Sequence, residues 1–397
     1  MNDRKKVLIL GAGQMAKPMV DYFLDKCGYD VIVASRTVEK AIHIISGRTN
    51  GKAVSWTVDQ MADLETMTQE VDIVMILIPR YYQVEVMKLC IKHKKPCVTT
   101  DYLTPEMRAL DEDAKKAGII IFAEIGDGLG LDHICNMKLI DEIRDEDYKV
   151  TDILTLASGI PACDVAITNP FTYKFNWNPI GFFMTIQTNS VLIENGKEKE
   201  YPGSKVFDDH FLMEIPEFNC TYEVYPKGQV QHYIEPYGLE LEGLNWYRGL
   251  LRYPGYSNTM KGLMDLGLGD WKTNMNFEGL TYGGFMKKIL NREGAASAED
   301  ALSEHLGVNK IDDFVKKLKW LGILDDSEPI PIKEGTKLDI LSRLMLERLS
   351  YLPGEKDLTL IYSEVVGVKP DGEKIKKKGW NATEGIPNGD SAMARCV

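Results

Sequence analysis

The side chains best suited to moving protons fall in the stretch Ala123-Glu124-Ile125-Gly126-Asp127-Gly128-Leu129-Gly130-Leu131-Asp132-His133. Three glycines there promise close backbone approach, yet Asp127 and Asp132 would repel a phosphate. The loop therefore suits chemistry rather than phosphate binding: Asp127 can take a proton or hold a substrate ammonium. Asp132 reads as the cap of a helix carrying Ile134, Met137 and Ile140. His133 then opens that helix and packs or donates rather than titrating in catalysis. No histidines and cysteines cluster with ligand spacing, so the chain carries no metal signature.

Such residues need a frame. An apolar run over residues 7–10 ends at Gly11-Ala12-Gly13 and leads into QMAKPMVDYFLDK, where Met15, Met19, Val20 and Phe23 have helical spacing. Strand, glycine turn and helix form the context in which GxGxxG binds a dinucleotide. Gly11 permits the tight turn, Gly13 admits the pyrophosphate to the helix start, and Ala16 stands small at the third position. A second strand at 30–34 ends in Ser35-Arg36-Thr37. No acid waits there for ribose hydroxyls; Arg36 offers a planar fork flanked by two hydroxyls, which favours NADP over NAD.

Further strands are expected at 53–58, 72–79, 97–100 and 119–123, with a helix over 82–94 and another from Pro105 towards Lys116. Alternating βα units give a doubly wound parallel sheet, an α/β Rossmann architecture. Ligands lie at the carboxyl ends of such strands, so Ile78-Pro79-Arg80, Thr99-Thr100-Asp101-Tyr102 and the glycine loop share one crevice. The coenzyme is expected against Gly11, Gly13, Gln14 and Met15, then Ser35, Arg36 and Thr37. Asp59, Ile78, Thr99, Thr100 and Gly126 complete that set.

The 397 residues allow two or three domains. With 59 acids against 47 bases the net charge is −12, which argues against nucleic acid as a partner. The basic run at 374–378 reads as a solvated turn. Seven cysteines without CxxC pairs suggest free thiols in a reducing cytoplasm, and no window is apolar enough to span a membrane. After Lys149 the pattern suggests a second α/β domain. Phe171, Tyr173, Phe175 and Trp177 alternate with a strand's period, a sign of core or dimer packing. Lys174 between them reads as an outward strand lysine. An acidic helical module follows over about 295–324, a further helix over 339–350, and a strand over 358–366.

The stretches GAGQMAKPMVDYF, VIVASRT, CIKHKKPCVTTDYLTPEMRALDEDAKKAGI, NPFTYKFNW, RGLLRYPGY, KWLGIL and SAMAR together resemble the saccharopine dehydrogenase family, near its NADP-dependent, glutamate-forming members. The resemblance implies an NADP-binding domain over 1–135, rejoined by 381–397. It also implies an α/β substrate and dimerisation domain over 136–290 and 345–380, and a small helical domain over 291–344. It implies further elements after SAMAR, a homodimer, and a reaction in which an amine and a semialdehyde meet through an imine that NADPH reduces, or the reverse.

Against that pattern four places depart. A family serine is Asp101; a family aspartate is Gly128, with an acid one place earlier at Asp127; CGGLPAPE is Ala157-Ser158-Gly159-Ile160-Pro161-Ala162-Cys163-Asp164; and the arginine of YPNRDS is Gly228, beside Lys227. The arginines of RGxLRY remain as Arg248 and Arg252. The resemblance thus suggests Asp127, Asp101, Tyr102 and His133 as proton shuttles. Asp101, Tyr102, Asp127, Arg248 and Lys227 would meet the substrate, the last two orienting a carboxylate. Three readings follow: an imine-reducing oxidoreductase with an altered substrate, saccharopine dehydrogenase of lysine metabolism, or an NADP-binding sensor without turnover.

Overall fold

The computed structural model describes residues 4–13, 15–176 and 179–396. The chain divides into two compact units, residues 1–138 with 380–397, and residues 139–379.

The first unit is a six-stranded sheet in the order β3-β2-β1-β4-β5-β6. Its strands are β1 (Lys6–Leu10), β2 (Asp30–Ser35), β3 (Gly51–Ser55), β4 (Ile73–Ile76), β5 (Cys97–Thr99) and β6 (Ile121–Phe122), and all pair in parallel. Central β1 is buried on both faces. Val7 and Ile9 join one core with Val31, Val33 and Ala16. Leu8 and Leu10 join the other with Val74, Ile76, Val86 and Met87. Alternate side chains of a strand point oppositely, so a continuous apolar run is what a sheet covered on both faces requires. The covering helices are α1 (Ala16–Asp21), α2 (Val38–Ile45), α3 (Met61–Gln69), α4 (Arg80–Lys92), α5 (Pro105–Arg108) and α6 (Asp111–Ala117).

Some expected elements differ. The stretch 53–58 is strand only to Ser55: Trp56 N makes the last bond to β2 at Ser35 O, and Thr57 and Gln60 then close a turn on each other, with the Trp56 indole donating to Gln60 O. One helix expected from Pro105 is two, with a break at Ala109 and Leu110. α7 (Leu131–Arg144) buries Asn136, Leu139, Ile140 and Ile143, whereas Ile134 is 66% exposed, so it lies off the packed face.

The second unit holds an eight-stranded sheet whose main path is β10-β11-β12-β7-β15-β16. The strands are β7 (Lys149–Pro161), β8 (Ser190–Glu194), β9 (Lys197–Tyr201), β10 (Phe211–Ile215), β11 (Cys220–Pro226), β12 (Asn245–Arg252), β15 (Asp357–Val368) and β16 (Lys374–Glu384). β12 runs parallel to β7, while β11 runs antiparallel to β10 and β12 and β15 antiparallel to β7. A two-stranded ribbon, β13 (Met275–Asn276) with β14 (Glu334–Gly335), lies among the helices. The basic run at 374–378 is therefore strand, not turn: Lys376 and Lys378 bond Glu364, and Lys377 bonds Glu146, so its charges are neutralised along an edge.

Helices α8 (Cys163–Ala166), α9 (Pro179–Ile186), α10 (Tyr256–Asp265), α11 (Tyr282–Ile289), α12 (Ala298–Leu306), α13 (Asp313–Leu321) and α14 (Lys337–Leu349) complete the second unit. The stretch expected as a separate helical module shares one core with Phe171, Tyr173 and Phe175. Its own helices are too short to bury their apolar faces alone. The aromatic run is not a strand either. Thr172 has φ +51° and breaks the extension, after which Phe175 N bonds Leu349 O. Lys174 does not point outward: it is buried and pairs with Glu355 at 2.7 Å. Trp177 lies outside the described residues. A last short helix, α15 (Ala392–Arg395), belongs to the first unit and buries Ala392 and Ala394.

Candidate active site

The first βα turn is fixed by backbone contacts. Gly11 N bonds Ala34 O at 2.8 Å and Leu77 N bonds Leu10 O at 2.9 Å, which presses the turn onto the end of β4. Gly11 has φ +109°, and a Cβ there would lie 2.5 Å from Leu77 O. Only glycine fits. At Gly13 the corresponding space is open to 4 Å, and Ala16, fully buried, closes the turn by bonding Gly13 O. Gln14 lies outside the described residues; Met15 sits at the N-cap of α1.

At the end of β2 the Ser35 hydroxyl accepts from Thr37 N at 3.2 Å, and Thr37 stands at the N-cap position of α2 without a side-chain cap bond. Arg36 is exposed and makes no hydrogen bond or ion pair with another described residue. A guanidinium left in this way is ready for a dianion. Asp59 sits in the turn between β3 and α3, where the Thr57 hydroxyl holds its carboxyl below the usual range.

A buried amide organises the strand ends further along. Gln83, 2% exposed, donates to Ile78 O at 2.8 Å and to Asp101 Oδ2 at 3.3 Å, and accepts from Thr99 Oγ1 at 2.8 Å. Asp101 is paired with Arg80 through Nε at 2.9 Å and through Nη2, and accepts from Tyr102 N. The guanidinium also sits 5.5 Å from the Tyr102 ring centroid. Asp101 pushes Arg80 above its ordinary value. The extra acid thus arrives with its own counter-charge. Gln83 was missed from the sequence; its spacing of three from Arg80 on α4 was the available signal.

The glycine loop folds on itself. Gly126 and Gly130 form a bridge, and a Cβ on Gly130, at φ +143°, would meet Gly126 O at 2.4 Å and Gly126 N at 2.5 Å. Ile125 N bonds Thr99 O, setting the loop beside β5; Thr100 carbons lie 3.8–4.0 Å from a Cβ built on Gly126. Asp132, fully buried, accepts from Gly130 N and His133 N, each at 3.0 Å. Its carboxylate serves the helix start from inside the first turn, two places after the cap position at Gly130. His133 Nε2 stands 3.9 Å from Glu124 Oε2. Asp127 lies between the two bridged glycines.

In the second unit the cations are buried. Lys227 does not reach out to a carboxylate. Its ammonium donates to Thr185 O at 2.7 Å, Thr188 O at 3.0 Å and Thr188 Oγ1 at 2.7 Å, using its three protons to close the end of α9. Burial, helped by the nearby Arg248 charge, lowers its pKa to about 8. Arg248 is 4% exposed, and its Nη1 donates to Lys227 O at 3.1 Å. Its side chain crosses the missing side chain of Gly228: a Cβ there would lie 2.8 Å from Arg248 Cδ. Arg252 is enclosed by the rings of Tyr173, Tyr225 and Tyr256 at 5.3–5.9 Å, a packing role in the core. Among the described residues no group of three or more His, Cys, Asp or Glu could hold a metal ion, and no helix is long and apolar enough to cross a membrane.

A doubly wound sheet with this first turn and an unpaired arginine after β2 defines a dinucleotide-dependent oxidoreductase. Residues 7–122 match the saccharopine dehydrogenase NADP binding domain, and residues 130–397 match the saccharopine dehydrogenase C-terminal domain. The chain belongs to the saccharopine dehydrogenase family. It is 30% identical to a saccharopine dehydrogenase [NADP(+), L-glutamate-forming] of Schizosaccharomyces pombe, over 98% of this chain and 88% of the relative. With that of Pyricularia oryzae the identity is 31%, over 99% and 88%. The apo saccharopine dehydrogenase (L-Glu forming) of Saccharomyces cerevisiae superposes with a TM-score of 0.87 at 27% identity, covering 99% of this chain and 88% of that one. The coenzyme is NADP, and the enzyme is an oxidoreductase of CH–NH donors. The open face at Gly13 and the unpartnered Arg36 fit that coenzyme.

Proposed function

We propose that this chain reduces the imine formed between an amine and a semialdehyde, or runs that reaction backwards, on a substrate other than saccharopine. The observation that carries the reading is Gly228. The resemblance implies a carboxylate-holding arginine there; here the place has no side chain, Arg248 runs across it, and neighbouring Lys227 is spent on backbone carbonyls. A substrate carboxylate left without such a partner in a dry site loses on the order of 2–5 kcal/mol. A substrate lacking that carboxylate loses nothing.

Bound NADPH supplies hydride to the carbon of the C=N bond. Gly11, Gly13, Ser35, Arg36 and Thr37 hold the coenzyme, with Thr99, Thr100, Ile78 and Gly126 beside the strand ends. Forming and dehydrating the carbinolamine needs a proton carrier, and we assign Asp127, with Tyr102 and His133 as relays. Asp101 acts through Arg80, with which it is paired; the substrate ammonium is assigned to Asp127, placed in the loop between the bridged Gly126 and Gly130.

The second reading is saccharopine dehydrogenase itself, favoured by identities of 30–31% along nearly the whole chain to relatives of that name. The test follows loss of reduced-nicotinamide absorbance with the full chain and NADPH. Glutamate with the lysine-derived semialdehyde is compared with lysine and polyamines paired with semialdehydes. Fastest turnover on another pair is expected; glutamate with the lysine-derived semialdehyde as best pair would establish the second reading. NADPH binding without turnover on any pair would mean a sensor.

A further inference from the structure

The sheet of the second unit brings two of the seven cysteines to one place. Cys163 opens α8 directly after β7 and is exposed; Cys220 opens β11 and is half-buried. Tyr253, next after β12, links them. Its hydroxyl lies 2.9 Å from Pro161 O and 3.4 Å from Cys163 Sγ. The Tyr253 hydroxyl is thus shared between the Pro161 carbonyl and the Cys163 sulfur. The Tyr253 ring lies 5.9 Å from that of Tyr222, which shares a strand face with Cys220 two residues earlier. Tyr222, Tyr253 and Ala166 of α8 form one apolar cluster, and Cys220 packs against it. Both thiols therefore border the same pair of rings. Burial pushes the Cys220 thiol up, and the neighbouring Cys163 adds to that. By contrast Cys90 and Cys97 are fully buried in the first unit's core, away from water.

We propose that Cys163 and Cys220 are a redox pair that peroxide closes into a reversible disulfide between α8 and β11. Cys163, the accessible thiol, attacks the peroxide: an S–O bond forms, the O–O bond breaks, and the departing oxygen leaves as water with the thiol proton. The Cys220 thiolate then attacks that sulfur. The S–S bond forms, the S–O bond breaks, and a second water leaves. Two thiols lose two electrons and one peroxide becomes two waters. The bridge ties segment 157–164 to the start of β11.

The NADP-bound full chain is treated with hydrogen peroxide, alkylated, and mapped as peptides without reduction. The expected result is a linked Cys163–Cys220 peptide pair and a free-thiol count lower by two from seven, both reversed by a thiol reductant. In Cys220→Ser the same treatment should leave Cys163 as a sulfenic acid captured by a dione probe. Cys163 carried to the sulfinic acid without a link in the unaltered protein would overturn the proposal. So would links confined to other cysteines.

Discussion

The glycine turns of the first unit are built from backbone, and the region around Gly228 in the second unit from buried side chains. Around Gly11 and Gly130 the chain approaches itself so closely that only a missing Cβ allows it. Around Gly228 the missing Cβ leaves room for a side chain, Arg248, and charge is held by Lys227 against carbonyls. Backbone packing tolerates no substitution and little movement. A site packed by long side chains can be refitted with one or two changes, as at Gly228, where Arg248 runs across the place of the arginine that the family resemblance implies.

Gly130→Ala should break the first half outright. The new Cβ meets backbone on two sides at an unsuitable φ, so a loss of about 3 kcal/mol or more is expected in urea unfolding, with weakened NADPH binding. The second half is tested through Lys227. Its pKa falls from 10.5 to about 8 on folding, so between those pH values the unfolded chain binds more protons than the folded one. Stability from this group therefore rises with pH across that window, by about 3 kcal/mol at most. The unfolding free energy of the wild type minus that of Lys227→Met should grow accordingly from pH 8 to 10.5. A flat difference would show that its hydrogen bonds offset the burial. Arg36→Gln should cost about 2 kcal/mol, roughly 30-fold, in NADPH affinity by calorimetry and leave NADH unchanged. The smallest effect belongs to Asp101→Asn. Arg80 is half exposed, so melting should report less than about 1 kcal/mol, whereas loss of turnover would make Asp101 a reacting group after all.

The same contrast governs what the sequence disclosed. The parallel strands, the first turn and Arg36 follow from patterns a few residues long, because adjacent residues build them. The pairing of Arg80 with Asp101 joins residues 21 apart, and Lys227 reaches back 42 to Thr185; no local pattern encodes either. Asp132 was legible as a helix-start acid, though not its place inside the turn. Lys174 and the run at 374–378 misled for one reason: lysines imply solvent until a partner such as Glu355 or Glu364 is known.

Trp56 has an optical consequence. It is 2% exposed, and its backbone nitrogen bonds Ser35 O, one residue from Arg36. Reduced nicotinamide absorbs in the range where indole emits. Excitation of Trp56 should therefore drain to NADPH held at the end of β2, dimming the tryptophan as the coenzyme brightens. The protein carries its own lamp for timing coenzyme arrival and release.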